Sequence, residues 1–235
     1  MDVDTFVVEM EHLAPAELAE DFDAGKIGLI VEGKRNLKTI CCALDATPAV
    51  VKKAVAQKAD MLVVHHTPLW SPVTSLTGPT ASLMRDVLSH EMNIWVMHTN
   101  FDRAGRGVND CLAELLSLTN TEPMSLGLTG DCTIPVSEIA RRLGGPVRVW
   151  GKITKPKRLA VVGGSGFDLS IMMDAKALGA DAFLSAELKH STYRSAPMAC
   201  IEATHYALEA PAMERLAKNY GWKFIADPPV ISVLP

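Results

Sequence analysis

The chain has 235 residues, enough for one large domain or two small ones. Apolar residues make up 48% and charged residues 21%, an ordinary balance for a protein with a buried core, and the net charge of −4 lacks any lysine- or arginine-rich block, which argues against a nucleic-acid surface. The pairs Lys52-Lys53 and Arg141-Arg142 read as solvated helix faces. Five cysteines, an odd number without C-x-x-C spacing, favour buried thiols in a reducing cytosol over a disulfide framework. Met1-Asp2-Val3-Asp4 carries no signal-peptide pattern, and no apolar run approaches a membrane span. A cytoplasmic protein without a membrane partner is expected.

In chain order, residues 3–22 read as helical with a break near Pro15. Ile27–Val31 and Lys38–Leu44 read as strands. Thr47 is a helix cap followed by Pro48 at the first helical position, so 48–57 is helical. Met61–His65 is a strand, Ala81–Glu91 a helix, Asn93–Met97 a strand and Gly107–Leu118 a helix. This β-α-β-α-β-α order implies a mostly parallel sheet. Residues 119–134 are polar and rich in turn formers, and read as a connection. Pro135–Leu143 is a helix, Val147–Trp150 a short strand, and Lys152–Lys157 a basic surface turn. Strands at Leu159–Val162, Asp181–Ser185 and Met198–Ala203, with a helix at 168–178, form a second α/β unit. A helix from Pro211 to Asn219 and a strand at Trp222–Ala226 close the chain. The expected division is a first lobe at 1–124, joined by a returning 221–235, and a second lobe at 125–220.

The histidines carry the chemistry. Met61–Val64 ends in His65-His66, Ile94–Met97 ends in His98, with Asp102 four residues on, and a third run ends in His205, with Glu209 four residues on. Ligands of open α/β sheets bind at the carboxyl ends of strands. Imidazole and carboxylate together suit iron, manganese, zinc, nickel or cobalt. Adjacent side chains inside a strand point to opposite faces, so a histidine pair at a strand's end suits two ions in a shared pocket better than one ion. His205 and Glu209 share a face if the backbone there is helical.

These residues carry a resemblance. His65-His66, His98-Thr99-Asn100-Phe101-Asp102 with Gly107-Val108-Asn109-Asp110, Ala186-Glu187, and His205-Tyr206-Ala207-Leu208-Glu209 resemble the signature of the NIF-three-like family. Its members are often named GTP cyclohydrolase I type 2 homologues. Ala43-Leu44-Asp45-Ala46-Thr47 and Gly163-Gly164-Ser165-Gly166 fit the same pattern. The resemblance implies a two-lobed α/β fold, mostly parallel sheets with helices on their faces, and a dinuclear metal site in a cleft at the strand ends. It implies a ring-shaped homo-hexamer, and His65, His66, Asp102, His205 and Glu209 as ligands of two divalent ions. Thr67 stands where members often have proline, Thr204 where glycine is frequent, and Ser185-Ala186-Glu187 where Thr-Gly-Glu is common. None of these removes a ligand. The chain has no room for the central domain that larger members carry.

The lesser signals are weaker. His98 is read as a donor or proton shuttle near the metals, or else as a buried histidine bonded to backbone. Glu187 is read, on its place in the family pattern alone, as an outer-sphere base, the alternative being a surface carboxylate. Asn100 and Asn109 are expected to brace the Asp102 loop. The Gly163–Gly166 loop is read as a tight turn rather than an anion cradle. His12, His90 and His190 read as surface residues. Gly28–Arg35 nearly matches a P-loop, but Arg35 stands where Ser or Thr is required. The expected function is a dinuclear metal-dependent hydrolase acting through a metal-bridging water, on GTP or a related nucleotide if the resemblance holds. The competing readings are a non-catalytic metal-binding or scaffold ring and, weakened by the net charge, a nucleic-acid-binding ring.

Overall fold

Two sheets organise the chain, each built around parallel strands that end where the chemistry-bearing residues begin. The structure is a computed structural model that describes residues 1–232. Its contacts divide the chain into two units. The first is Met1–Ala104 with the segment from Met213 onward, and the second is Gly105–Ala212. The segment 105–124 therefore groups with the second unit, and the later division falls inside a helix rather than after it.

In the first unit, β1 (Gly28–Val31), β2 (Ile40–Asp45), β3 (Met61–His66), β4 (Asn93–Val96) and β11 (Lys223–Phe224) form a sheet of order β1-β4-β3-β2-β11. Only β1 runs antiparallel to its neighbour. Helix α2 (Pro48–Ala56) is capped as its sequence demands, with the Thr47 hydroxyl accepting from the Val50 amide at 3.1 Å and Pro48 at the start. With α3 (Gly78–Ser89) it covers one face, where Leu62, Val64, Ile94 and Val96 are fully buried. Each such side chain contributes about 1.5–3 kcal/mol. That exceeds what a solvent-screened surface ion pair such as Arg35–Asp4 adds. On the other face α1 (Val3–Leu13) sets Phe6 edge-on to Trp95, 5.6 Å between ring centres. The adjacent thiols diverge as expected: Cys41 faces Gln57, while Cys42 Sγ reaches the Met213 carbonyl at 3.4 Å. All five cysteines are buried and free, and burial raises the Cys42 thiol pKa above its ordinary value.

The second unit holds β5 (Thr119–Pro123), β6 (Leu128–Asp131), β7 (Arg148–Trp150), β8 (Arg158–Val161), β9 (Ala182–Ser185) and β10 (Ala199–Glu202), in the order β5-β6-β8-β9-β10-β7. Pairs β8–β9 and β9–β10 are parallel and the other three antiparallel, so this sheet is mixed rather than mostly parallel. Period-two alternation separates its faces. Leu159, Val161, Leu184 and Ile201 pack toward α5 (Val108–Leu115) and α6 (Val136–Leu143). Ala160, Val162, Phe183 and Cys200 pack toward α7 (Leu169–Ala177).

Several expectations are corrected. Residues 119–134 are not a bare connection but contain β5 and β6. β5 is exposed along its whole length as an edge strand, so it carries no apolar alternation to read. The helix expected at Pro211 begins earlier: α9 runs His205–Tyr220 with Pro211 inside it. Thr204 caps it, its hydroxyl accepting from the Ala207 amide at 3.1 Å. Two short helices, α4 (Thr99–Arg103) and α8 (His190–Ser195), were not anticipated. Among the described residues no helix is long and apolar enough to cross a membrane.

Asn93, fully buried at the start of β4, knits the first unit together. Its side chain donates to the Lys34 and Asp60 carbonyls and accepts from the Gly33 amide, each at 2.8 Å. Asn93→Ala removes the side-chain partner of the Gly33 amide and of the Lys34 carbonyl, while the Asp60 carbonyl keeps the Asn93 backbone amide, and should lower unfolding free energy by roughly 1–3 kcal/mol, measured by urea denaturation.

Candidate metal centre

Parallel pairing of β2, β3 and β4 brings their carboxyl ends to one edge of the first sheet. Asp45 and His66 are register partners across β2 and β3, and the Asp45 carboxylate lies 2.7 Å from His66 Nδ1. His65 is fully buried, with Nε2 3.5 Å from an Asp102 carboxylate oxygen. His98 follows β4 and leads into α4, which carries Asp102. Its Nδ1 lies 2.8 Å from Asp23. Asp23 also accepts from the Thr99 hydroxyl and amide, at 2.5 and 3.1 Å.

The imidazoles converge. Ring centres are 4.9 Å apart for His65–His66, 5.1 Å for His65–His98 and 5.5 Å for His66–His98. One nitrogen from each lies within 4.8 Å of the others, a group that could hold a metal ion. Adjacent His65 and His66 thus face one locus despite their places on a strand, because β3 ends there. The carboxylates Asp45 and Asp23 address Nδ1 of His66 and His98, a tether that fixes the orientation of each ring. Burial, then the neighbouring His65, hold His98 below its ordinary pKa against the pull of Asp23. Trp70 and Phe22 stand beside it, 5.1 and 6.0 Å from its ring centre.

The second unit presents a similar device. His205 opens α9 and Glu209 lies one turn on, with Nε2 3.0 Å from the Glu209 carboxylate. This replaces the expectation that Glu209 precedes a helix starting at Pro211: it sits in the second turn, on His205's face. Glu187 lies 2.8 Å from His205 Nδ1. Its backbone has φ of 63°, a left-handed conformation uncommon for a non-glycine residue, held where its carboxylate is used.

The glycine loop is a scaffold. Asn109 Oδ1 accepts from the Gly163 amide at 2.9 Å, so Asn109 braces this loop. Asn100 braces the Asp102 loop, accepting from the His98 amide at 2.9 Å and donating to Ala14 O at 2.7 Å. Ser185 Oγ accepts from the Gly166 amide and donates to the Gly164 carbonyl, both at 2.8 Å. Two of its amides, those of Gly163 and Gly166, are thus taken by side chains of the protein. Gly164 is required by its φ of 63°, and a Cβ there would lie 2.4 Å from Glu209 Oε1 and 3.1 Å from His205 Nε2.

Asp23 and Asp45 were not recognised as site residues from sequence. Asp45 had a findable signal, a carboxylate ending a strand beside the histidine strand. Asp23 had none, because it ends a 3-10 turn at the edge of the stretch 3–22 that reads as helical.

Gly164→Ala should push the Glu209 carboxylate away and break the 3.0 Å pair with His205, as seen in a crystal structure of the variant. It should also cost about 1 kcal/mol or more from backbone strain.

Comparison with known proteins agrees with this geometry. Residues 1–226 match the family described as Duf34/NIF3 (NGG1p interacting factor 3). The chain is 33% identical to a "GTP cyclohydrolase 1 type 2 homolog" of Pyrococcus abyssi, over 86% of this chain and 87% of that protein. It is 30% identical to one of the same name from Streptomyces coelicolor, over 94% and 91%. The solved structure of reduced HcgD from Methanocaldococcus jannaschii superposes with a TM-score of 0.82 at 26% identity, covering 95% of this chain and 96% of that one. With its strand-end histidines in place and the match running over nearly its whole length, the chain belongs to the Duf34/NIF3 family.

Proposed function

We propose that the protein is a dinuclear divalent-metal-dependent hydrolase, with His65, His66 and Asp102 of the first unit and His205 and Glu209 of the second as ligands. The observation that carries this reading is the repeated tethering of imidazole Nδ1 by carboxylate: Asp45 on His66, Asp23 on His98 and Glu187 on His205. Such partners fix ring orientation and raise ligand basicity at metal sites. A donor set of imidazoles and carboxylates suits iron, manganese, zinc, nickel or cobalt. Bound divalent ions would acidify a water and polarise the bond under attack. The chain's own groups do the rest. Glu187 holds His205 in place and stands outside the ligand set as a base. His98, oriented by Asp23, accepts or shuttles a proton.

The substrate assignment, GTP or a related nucleotide, rests on the names of the relatives. A closed homo-hexamer is the proposed assembly, supported by exposed Phe22, Trp70, Val73 and Leu76, which another subunit would cover. The five free buried thiols support a reducing, cytoplasmic setting. Light scattering at micromolar concentration should give a hexamer, and a stable monomer would contradict that assembly.

Glu209→Gln nearly conserves size, so the fold should persist while at least one ion and hydrolytic turnover are lost. His190→Gln, at an exposed position, should change neither. Elemental analysis with an activity screen across nucleotides checks both variants. Full metal content and turnover in Glu209→Gln would sink the ligand assignment. Two retained ions with no turnover on any substrate would favour the non-catalytic scaffold reading.

A further inference from the structure

A cavity of about 760 Å³ lies in the second unit, lined by the turn after β7 and by the end of α8 with the segment that follows. That volume is in the range of small-molecule sites, about 300–1,000 Å³. Three cations, Lys152, Lys155 and Arg194, and one carboxylate, Asp181, line it. None of the three cations forms a salt bridge among the described residues. Asp181 is already committed, since it accepts from the Lys157 amide at 3.0 Å and the Arg158 amide at 3.2 Å. In a chain of net charge −4, the wall of this cavity carries three positive charges against one negative.

The turn that presents Lys152 and Lys155 is built rather than loose. Gly151, beside Ala199, has φ of 101°, which an L side chain rarely adopts, and so fixes the entry of the turn. The Thr154 carbonyl accepts from the Val136 amide at 2.8 Å. Asp181 fixes the far end at Lys157. A scaffold pinned at three places lowers the ordering cost of binding. On the apolar side, Tyr193 is half-buried and its ring centre lies 5.1 Å from that of Trp150.

We propose that this cavity binds a phosphorylated small molecule, with the phosphate held by Lys152, Lys155 and Arg194 and the organic body against Tyr193. A phosphate dianion matches the surplus of two charges better than a single carboxylate. Arginine offers it a two-pronged contact and the lysines point charges. The volume exceeds a bare phosphate, so an organic body is part of the ligand. The site is independent of the metal ligands, so it stands or falls apart from the hydrolase reading.

Isothermal titration of the full chain with AMP, adenosine and inorganic phosphate tests this, on chelator-dialysed and metal-loaded protein. AMP should bind both preparations, and adenosine and inorganic phosphate should each bind roughly tenfold more weakly or worse. The triple variant Lys152→Ala, Lys155→Ala, Arg194→Ala should weaken AMP by about tenfold or more with an unchanged circular dichroism spectrum. Tyr193→Ala should weaken AMP but not inorganic phosphate. The proposal is overturned if AMP fails to bind at millimolar concentration, binds only when metal is present, or binds the triple variant as well as the parent. Retention of single-stranded DNA without AMP binding would also overturn it, in favour of a nucleic-acid surface.

Discussion

The pairing of a carboxylate with the Nδ1 of a histidine is the interaction on which the candidate site depends. An imidazole on its own can rotate, and either nitrogen can carry the proton. Asp45, Asp23 and Glu187 remove that freedom at His66, His98 and His205. Each is supplied by a different piece of structure: a strand end, a 3-10 turn and a left-handed residue after β9. The carboxylates are themselves held. Asp23 is fully buried with Thr99 on it, so its position is set by the packing of the first unit.

This arrangement needs the sheet beneath it. Parallel strands β2, β3 and β4 put their carboxyl ends at one edge, and their buried residues fix the register. A slip of one residue would turn every side chain to the other face. Asp45 would then no longer oppose His66. The core that stabilises the first unit therefore also sets the distances among His65, His66 and His98. In the second unit, Gly164 plays the complementary part, since only a residue without Cβ leaves room for the Glu209 carboxylate.

Much of this was legible in the sequence where one signal dominated. Apolar runs ending in His65-His66 and His98 placed the strand ends, and Thr47-Pro48 placed the start of α2. Legibility failed where signals were absent or competed. β5 is polar and exposed, so nothing in its composition marks a strand. Pro211 is a strong helix-start signal, yet the Thr204 cap, seven residues earlier, already begins α9 and the proline lies inside that helix. The strand-end histidines were visible, but the residue that orients His98 was not. Asp23 is distant in sequence and joined to His98 only by folding.

X-ray absorption spectroscopy on metal-supplemented protein measures the central claim most directly. The account predicts two ions per chain, imidazole scattering around them, and a metal–metal vector of about 3.5–4 Å. At most one ion per chain after supplementation, or two ions with no such vector, would contradict it.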